Sequence, residues 1–277
     1  IMRTIYAKEI TRAVTQLCLK ANFSLSAPVL RSLKAAYRSE KMPRAKAALG
    51  MIIKNAGIAQ KEKIALCQDT GMPVVFLEIG RDLHIKGDLN KAVNRGVFLG
   101  YKKGFFRESI VADPLKRGKS SYYGSVMHVS ITGGSRMKIT VMPKGFGCEN
   151  KSLLNMFLPT AEANKIKDFI VEAVKLAGPD ACPPYTVGVG IGGTADHAAF
   201  LAKKALLRNG PSSKAVVRAM EKELLSKINK LRIGPMGLGG GHTCLAVNVE
   251  TYPTHIAGLP VAVNISCHAL RSATLTL

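Results

Sequence analysis

The sequence predicts an α/β fold: mixed β-sheets surrounded by helices, with a helical segment at the N-terminus. Three observations carry this. Apolar residues recur at helical spacing through residues 5–57, short apolar runs bounded by Gly and Pro begin at Met72, and helical stretches keep returning between those runs.

Residues 5–20, 27–37 and 43–57 each show the helical period, and Ser26 stands where an N-cap is wanted. The period then changes. "MPVVFLEIG" (72–80) is a short apolar run between turn residues, the pattern of a buried strand. Residues 87–103 return to helix with Asp88 as cap. "SVMHVSITGG" and "RMKITVMPKG" alternate like two strands paired as a hairpin around Gly133-Gly134. In the second half, residues 160–177 read as helix, "YTVGVGIGG" as strand, and "TADHAAFLAKKALLR" and 212–231 as helices. "TCLAVNVETY" and "LPVAVNISC" are the last strands. No fixed-period repeat or low-complexity linker divides the chain, so one domain is expected over 1–277, a helical segment at 1–60 followed by an α/β part at 61–277. Open α/β sheets place ligands at the loops that follow their strands, which is where the functional loops are expected.

Composition sets limits. Of 277 residues, 47% are hydrophobic, enough to bury a sizeable core. No window is apolar for the ~18 residues of a membrane span, and the first residues lack the apolar run of a secretory signal. Met2 behind Ile1 reads as the native start after one extra residue. A soluble, cytoplasmic protein with no membrane partner is expected. Forty Lys and Arg against 18 Asp and Glu give a net charge of +22. The basic residues are scattered along helices without any nucleic-acid recognition motif, so no nucleic acid is expected; an anionic substrate or an acidic partner chain suits the charge.

Six cysteines without tight clustering do not make a disulfide framework. Cys18 falls in the apolar stripe of the first helix. Cys67 in "ALCQDTG", Cys182 in "DACPPYTVGVGIGGT" and Cys267 in "VAVNISCHALR" each adjoin an apolar stretch beside Pro, Gly or polar residues. Their spacing leaves two readings open: three separate buried thiols, or three ligands of an iron–sulfur cluster assembled by the fold. "GVGIGGT" approaches a dinucleotide fingerprint, but no acidic residue follows about 20 positions on, so a nicotinamide site is rejected. "GPMGLGGGHTC" and "PKGFGCENKS" read either as loops approaching a ligand or as ordinary tight turns.

Seven stretches in order, "ALCQDTG", "SIVADPL", "PKGFGCENKS", "CPPYTVGVGIGGT", "AKKALLR", "IGPMGLGGG" and "ETYPTHIAGLPVAVNISCHA", together resemble the α-subunit of class I, iron–sulfur-dependent fumarate hydratases. The resemblance extends from about residue 64 to the C-terminus. The L-tartrate dehydratase α-subunit is a close relative sharing the "CQDTG" and "CPP" elements, while "GCENKS" and "YPTHIA" look more like the fumarase branch.

The resemblance implies a hydro-lyase that hydrates fumarate to L-malate on the open iron of a [4Fe-4S] cluster, the α/β part being the cluster-binding part. It implies Cys67, Cys182 and Cys267 as cluster ligands, Gln68, Asp69, Arg107, Gly145 and Gly147 as substrate contacts, and Asp69 and His255 as catalytic candidates. Each has a plainer reading: Arg107 as a surface ion pair, His255 as a histidine satisfying a backbone carbonyl, the glycines as turns. His242 and His268 receive no role. Cys148 stands where many members have Ser, and reads as a neighbour of the cluster; "PLKRGKSSYYGSV" is shorter and more basic than the family's loop. The family's single-chain members carry further site residues in a domain absent from these residues, so a β-subunit, a small dicarboxylate substrate and a hetero-oligomer are the expected partners. Tartrate dehydration, or a cluster-binding subunit without catalysis, are the alternatives.

Overall fold

The structure, a computed structural model, describes residues 3–277; Ile1 and Met2, the expected native start, lie outside the described residues. In chain order the elements are β1 (Arg3–Tyr6), α1 (Ala7–Phe23), α2 (Ala27–Ser39), α3 (Pro43–Glu62), β2 (Met72–Gly80), β3 (Leu83–Lys86), α4 (Leu89–Lys103), β4 (Ile110–Asp113), β5 (Arg117–Ser121), β6 (Val126–Thr132), β7 (Met137–Lys144), α5 (Phe146–Glu149), β8 (Leu153–Phe157), α6 (Ala163–Ala177), β9 (Tyr185–Gly193), α7 (Ala195–Ala205), α8 (Ala215–Asn229), a 3-10 turn (Pro235–Gly237), β10 (Cys244–Thr254), β11 (Leu259–Ser266) and β12 (Ala273–Thr276). The α/β architecture and its helical N-terminal segment agree with the sequence reading. Among the described residues, no helix is long and apolar enough to cross a membrane.

The chain forms two compact units. Of the described residues, the first comprises 3–26, 55–146 and 271–277. Its four-stranded sheet has the order β12-β7-β2-β6, with β2 parallel to β6 and antiparallel to β7. Helices α1 and α4 cover it around a core of Val14, Leu17, Val75, Leu77, Val93, Val97 and Ile139. The two helices meet closely because α4 carries Gly96 and Gly100: a Cβ there would lie 2.7 Å from the Val14 and Cys18 Cβ atoms respectively. Thr11 and Thr15 of α1 donate to the carbonyls of Ala92 and Gly96, at 3.0 and 3.1 Å, and lock that contact. Asp88 caps α4 as expected, accepting from the Lys91 N–H at 2.9 Å.

One expectation is corrected here. β6 and β7 do not pair as a hairpin; β2 lies between them. Gly133-Gly134 marks the bend, but the chain there steps over the end of β2 instead of turning straight back. The Asp82 N–H donates to the Gly134 carbonyl, the Arg81 N–H to that of Thr132. A Cβ on Gly80 would fall 2.2 Å from the Gly134 oxygen, so the crossing requires glycine at the end of β2. Alternation predicted both strands but carried no information on which neighbour each would choose.

The second unit comprises residues 27–54 and 147–270. Its sheet has the order β10-β9-β11-β8, with β9 parallel to β10 and antiparallel to β11. On one face α6 and α8 pack against Tyr185, Val187, Val189, Val247 and Val263. On the other, α7 approaches so closely that a Cβ on Gly188 or Gly190 would stand 2.1 Å from the carbonyl oxygens of Ala202 and Ala198. The glycines of "GVGIGGT" that resembled a nucleotide fingerprint thus make room for a helix backbone.

Candidate active site

The expected loops after strands are only half of what the structure builds. Cys67 and Cys182 precede β2 and β9, while Gly145 and Cys267 follow β7 and β11. Because β7 and β11 run antiparallel to the strands beside them, their C-terminal ends lie next to the starts of β2 and β9, with Lys144 opposite Met72 and Ser266 opposite Thr186. Each unit therefore gathers predicted site residues at one end of its sheet.

In the first unit, Cys67-Gln68-Asp69 forms the bend before β2. Cys67 and Asp69 are half-buried and Gln68 is exposed. The Asp69 carboxylate accepts from the Gly71 N–H at 3.0 Å and, through its other oxygen, from the Phe146 N–H at 2.8 Å. That second bond ties the bend to the exit of β7, where a Cβ on Gly145 would meet the same oxygen at 3.2 Å. Both carboxylate oxygens thus accept backbone N–H groups, which fixes the side chain's orientation. Arg271, 3% exposed, donates to the Asp69 carbonyl at 2.7 Å and to the Asn22 side chain at 3.2 Å. The buried Tyr101 hydroxyl donates to the carbonyls of Thr70 and Gly71, at 2.9 and 3.1 Å. Burial pushes that phenol far up, with the Cys18 thiol beside it acting in the same direction, so it stays protonated as a donor.

Arg107 joins this group through its backbone. Its carbonyl accepts from the Thr70 hydroxyl at 3.3 Å, and its side chain is exposed. Among the described residues its guanidinium makes no ion pair, so the surface ion pair of the plainer reading does not form.

In the second unit, Cys182 has a left-handed backbone, φ 57°, and precedes the cis Pro183–Pro184 bond. Its carbonyl accepts from the His268 N–H at 3.3 Å and lies 3.1 Å from His268 Nδ1. A carbonyl only accepts, so Nδ1 carries the proton. The glycine loop closes on the same turn: the Met236 N–H donates to the Pro183 carbonyl at 2.8 Å, and Gly237 leaves room only for Pro179. Cys148 is buried and its thiol donates to the Ala181 carbonyl at 3.3 Å, one residue before Cys182. Burial raises the Tyr185 phenol, and Cys148, Cys182 and Cys267 act in the same direction; Tyr185 and Cys148 share one core, against which Cys267 packs. Gly147 is exposed in α5, with open space where a Cβ would stand.

His255 is not part of that gathering. It is exposed in the turn between β10 and β11, its Nδ1 accepting from the Ala257 N–H at 3.2 Å. Thr254 lies opposite Gly193 at the far end of β9, whereas Ser266, before Cys267, lies opposite Thr186 at its start. The histidine and the cysteine are about a strand length apart, roughly 25 Å at the usual rise per residue.

The six thiols, none in a disulfide, fall into two groups. Cys18, Cys148 and Cys244 are buried; Cys67, Cys182 and Cys267 are half-buried. Burial drives the Cys18 thiol far up and the Cys244 thiol up to about 12, so both stay protonated and inert. Among the described residues, no three His, Cys, Asp or Glu side chains converge on one ion. A cluster makes a different demand, since each thiolate binds a separate iron.

Three supporting residues escaped the sequence reading. His268 and Arg271 stand inside "SCHALR" and hold the two bends, a signal visible only as polar residues closely following a cysteine. Glu40, buried at 5% exposure, accepts from the N–H groups of Lys41, Met42 and Gly241 at 2.9, 3.0 and 2.9 Å. It also faces His242 Nδ1 at 3.2 Å, and so braces the glycine loop from the end of α2.

Residues 11–276 match the model of the fumarate hydratase (Fumerase) family. A putative L(+)-tartrate dehydratase subunit alpha from Methanocaldococcus jannaschii is 39% identical over 276 residues, 96% of each chain. The L(+)-tartrate dehydratase subunit alpha of Escherichia coli K12 is 31% identical over 215 residues, 76% of this chain and 71% of the relative. With a family model spanning nearly its whole length and a relative of that identity along 96% of it, the chain belongs to the fumarate hydratase family.

Proposed function

We propose that this chain is the α-subunit of a two-subunit, cytoplasmic iron–sulfur hydro-lyase that interconverts fumarate and L-malate and works with a β-subunit. The observation that carries the reading is the sorting of the cysteines: the three at the family's ligand positions are the three that are half-buried, at bends, while the other three are sealed. Cys67, Cys182 and Cys267 would hold the cluster. When bound, a [4Fe-4S] cluster on three thiolates supplies one iron without a protein ligand, a Lewis acid toward a substrate oxygen.

The chain's own residues then divide the remaining work. Arg107, pinned by its carbonyl three residues from Cys67 in the hydrogen-bonded structure and with its fork unpaired, is suited to clamp a substrate carboxylate. Gln68 offers an exposed amide beside it. Asp69, the catalytic candidate of the resemblance, is held in place by the Gly71 and Phe146 N–H groups on its two oxygens and is oriented toward a substrate hydroxyl. Gly145 and Gly147 leave backbone accessible where side chains would crowd a small ligand. His255, the other catalytic candidate of the resemblance, stands at the opposite end of β11 from Cys267 and is assigned no step. The excess of basic residues favours a dianionic substrate.

A second reading, L(+)-tartrate as substrate, is favoured by the two relatives, both tartrate dehydratase α-subunits by name. One experiment decides. The chain, purified without oxygen and reconstituted with ferrous iron and sulfide, should bind both in near-equal amounts. Cys67→Ser, Cys182→Ser and Cys267→Ser should each lose them, Cys18→Ser and Cys244→Ser should not. Coexpressed with its companion subunit, the complex should turn over L-malate in preference to L(+)-tartrate. Full iron content in any of the first three variants removes that residue from the ligand set, and a preference for tartrate replaces the substrate.

A further inference from the structure

We propose that the second unit contains a ligand pocket for an amphipathic carboxylate, a small molecule with one carboxylate and an apolar body. The cavity has a volume of about 430 Å³, within the usual range for small-molecule sites, and none of the six cysteines or the predicted substrate contacts lines it. It opens between the first turn of α2, the loop joining α7 to α8, one face of α8 and the start of β10.

Its walls are apolar: Val29 from α2, Leu225 from α8, and Leu206, Leu245 and Val247 opposite. Its charges separate into two groups. Arg208 and the buried Glu221 form an ion pair that is already complete within the protein. Glu221 also accepts the N–H groups of Ser212 and Val249 at 3.0 and 2.9 Å, and Arg208 reaches Glu250 at 3.0 Å. Arg208 is thus satisfied by carboxylates of the protein itself, and this group is structural. Arg218 and Lys222 are different. They are exposed on the α8 face that also carries Leu225, at the i, i+4, i+7 spacing of one helix side. Arg218 gives one nitrogen to the Ser212 carbonyl at 3.0 Å, and neither residue has an acidic partner among the described residues.

The pocket is therefore an apolar cleft with two uncompensated cations at its mouth. Ser32, Thr186, Asn209 and Asn248 also line it, and the hydroxyl of Thr186, 7% exposed, is without a hydrogen bond among the described residues. An apolar cleft excludes a compact, multiply charged anion, which would lose its water without enough donors to replace it. Two cations at the mouth disfavour an amine. A carboxylate at Arg218 and Lys222 with a hydrocarbon body along Val29 and Leu225 satisfies both conditions. The floor belongs to segments close to both second-unit cysteines, Thr186 four residues beyond Cys182 and Leu270 three beyond Cys267.

The test uses the full chain and three probes of one shape: hydrocinnamate, hydrocinnamyl alcohol and phenylpropylamine. Isothermal titration and saturation-transfer NMR should show saturable binding of hydrocinnamate alone. The surface variant Arg218→Glu/Lys222→Glu should weaken it about tenfold or more, as loss of a charge-assisted contact does. Val29→Trp, which fills the apolar wall and leaves the charges in place, should abolish it. Far-UV circular dichroism checks that both variants are folded, with Lys222→Glu alone as the milder replacement. Absence of saturable binding, equal binding of the alcohol, or binding indifferent to either variant would overturn the proposal.

Discussion

The two sheets share one three-strand arrangement and solve the same problems with opposite chemistry. In each, a central strand (β2, β9) lies between the next two strands of its own sheet (β6 and β7, β10 and β11), parallel to the first and antiparallel to the second, and the edge strand that completes the order comes last in the first sheet (β12) and first in the second (β8). In each, a cysteine bend precedes the central strand. The first unit lets its helices close by placing glycine on the helix, at Gly96 and Gly100; the second places glycine on the strand, at Gly188 and Gly190. The first steadies its bend with a cation on a carbonyl, Arg271 on Asp69. The second steadies its glycine loop with an anion on an N–H, Glu40 on Gly241. A topology fixes where support is needed and leaves its chemistry free.

The largest effect should come from the strand glycines. Gly190→Ala puts a methyl 2.1 Å from a backbone oxygen that cannot move aside, and should cost about 3 kcal/mol in urea unfolding. Gly147→Ala, with open space around it, should stay within about 0.5 kcal/mol. Equal stability for the two variants would break the comparison at its strongest point.

Next is Arg271→Lys, which retains charge but loses the planar fork that bonds Asn22 and Asp69 together. A cost of about 2 kcal/mol is expected, with faster hydrogen exchange over residues 67–71. Unchanged exchange there would mean that the bend is held by Asp69 and Tyr101 without the cation.

The smallest effect is specific to acid. Burial works against the Glu40 charge, but the N–H groups of Met42 and Gly241, His242 and the Lys41 N–H outweigh it and hold the carboxyl below the usual range. A depressed folded pKa contributes stability that is present above the unfolded value, about 4.3, and is lost as the pH falls through the lower folded value. Glu40→Gln should cost about 1 kcal/mol at neutral pH and flatten the acid limb of the stability profile. An acid limb identical to that of the parent chain would remove Glu40 from the brace.

The legible part of this molecule was local. Helical period and apolar runs located α1 to α4, α6 to α8 and the strands β2, β6, β7, β9, β10 and β11, because burial on one face writes itself into residue spacing. Partner choice does not. Gly133-Gly134 looked like a hairpin because a sharp bend is chemically the same whether the chain returns beside itself or steps over another strand. The site followed the same rule. Cys67, Gln68, Asp69 and Arg107 were legible as motifs, but that Asp69 holds Phe146 and that Arg271 holds Asp69 depends on contacts 77 and 202 residues apart. His255 came from the resemblance alone, and the strand β11 sets it at the opposite end of the sheet from Cys267.

The way the first unit is threaded has a consequence for synthesis on the ribosome. Its sheet ends with β12, which pairs with β7 and follows Arg271, and the 124 residues of the second unit's longer segment, 147–270, lie in between. As the chain emerges, β7 appears early with one side open and keeps a bare row of amides and carbonyls until everything up to Thr276 has left the tunnel. The second unit, whose last strand ends at Ser266, has all its strands first. The later-numbered sheet can thus mature while the earlier one waits, and a stalled or truncated nascent chain ending before Arg271 would release a finished second unit joined to a first unit lacking both its edge strand and the arginine that steadies its cysteine bend.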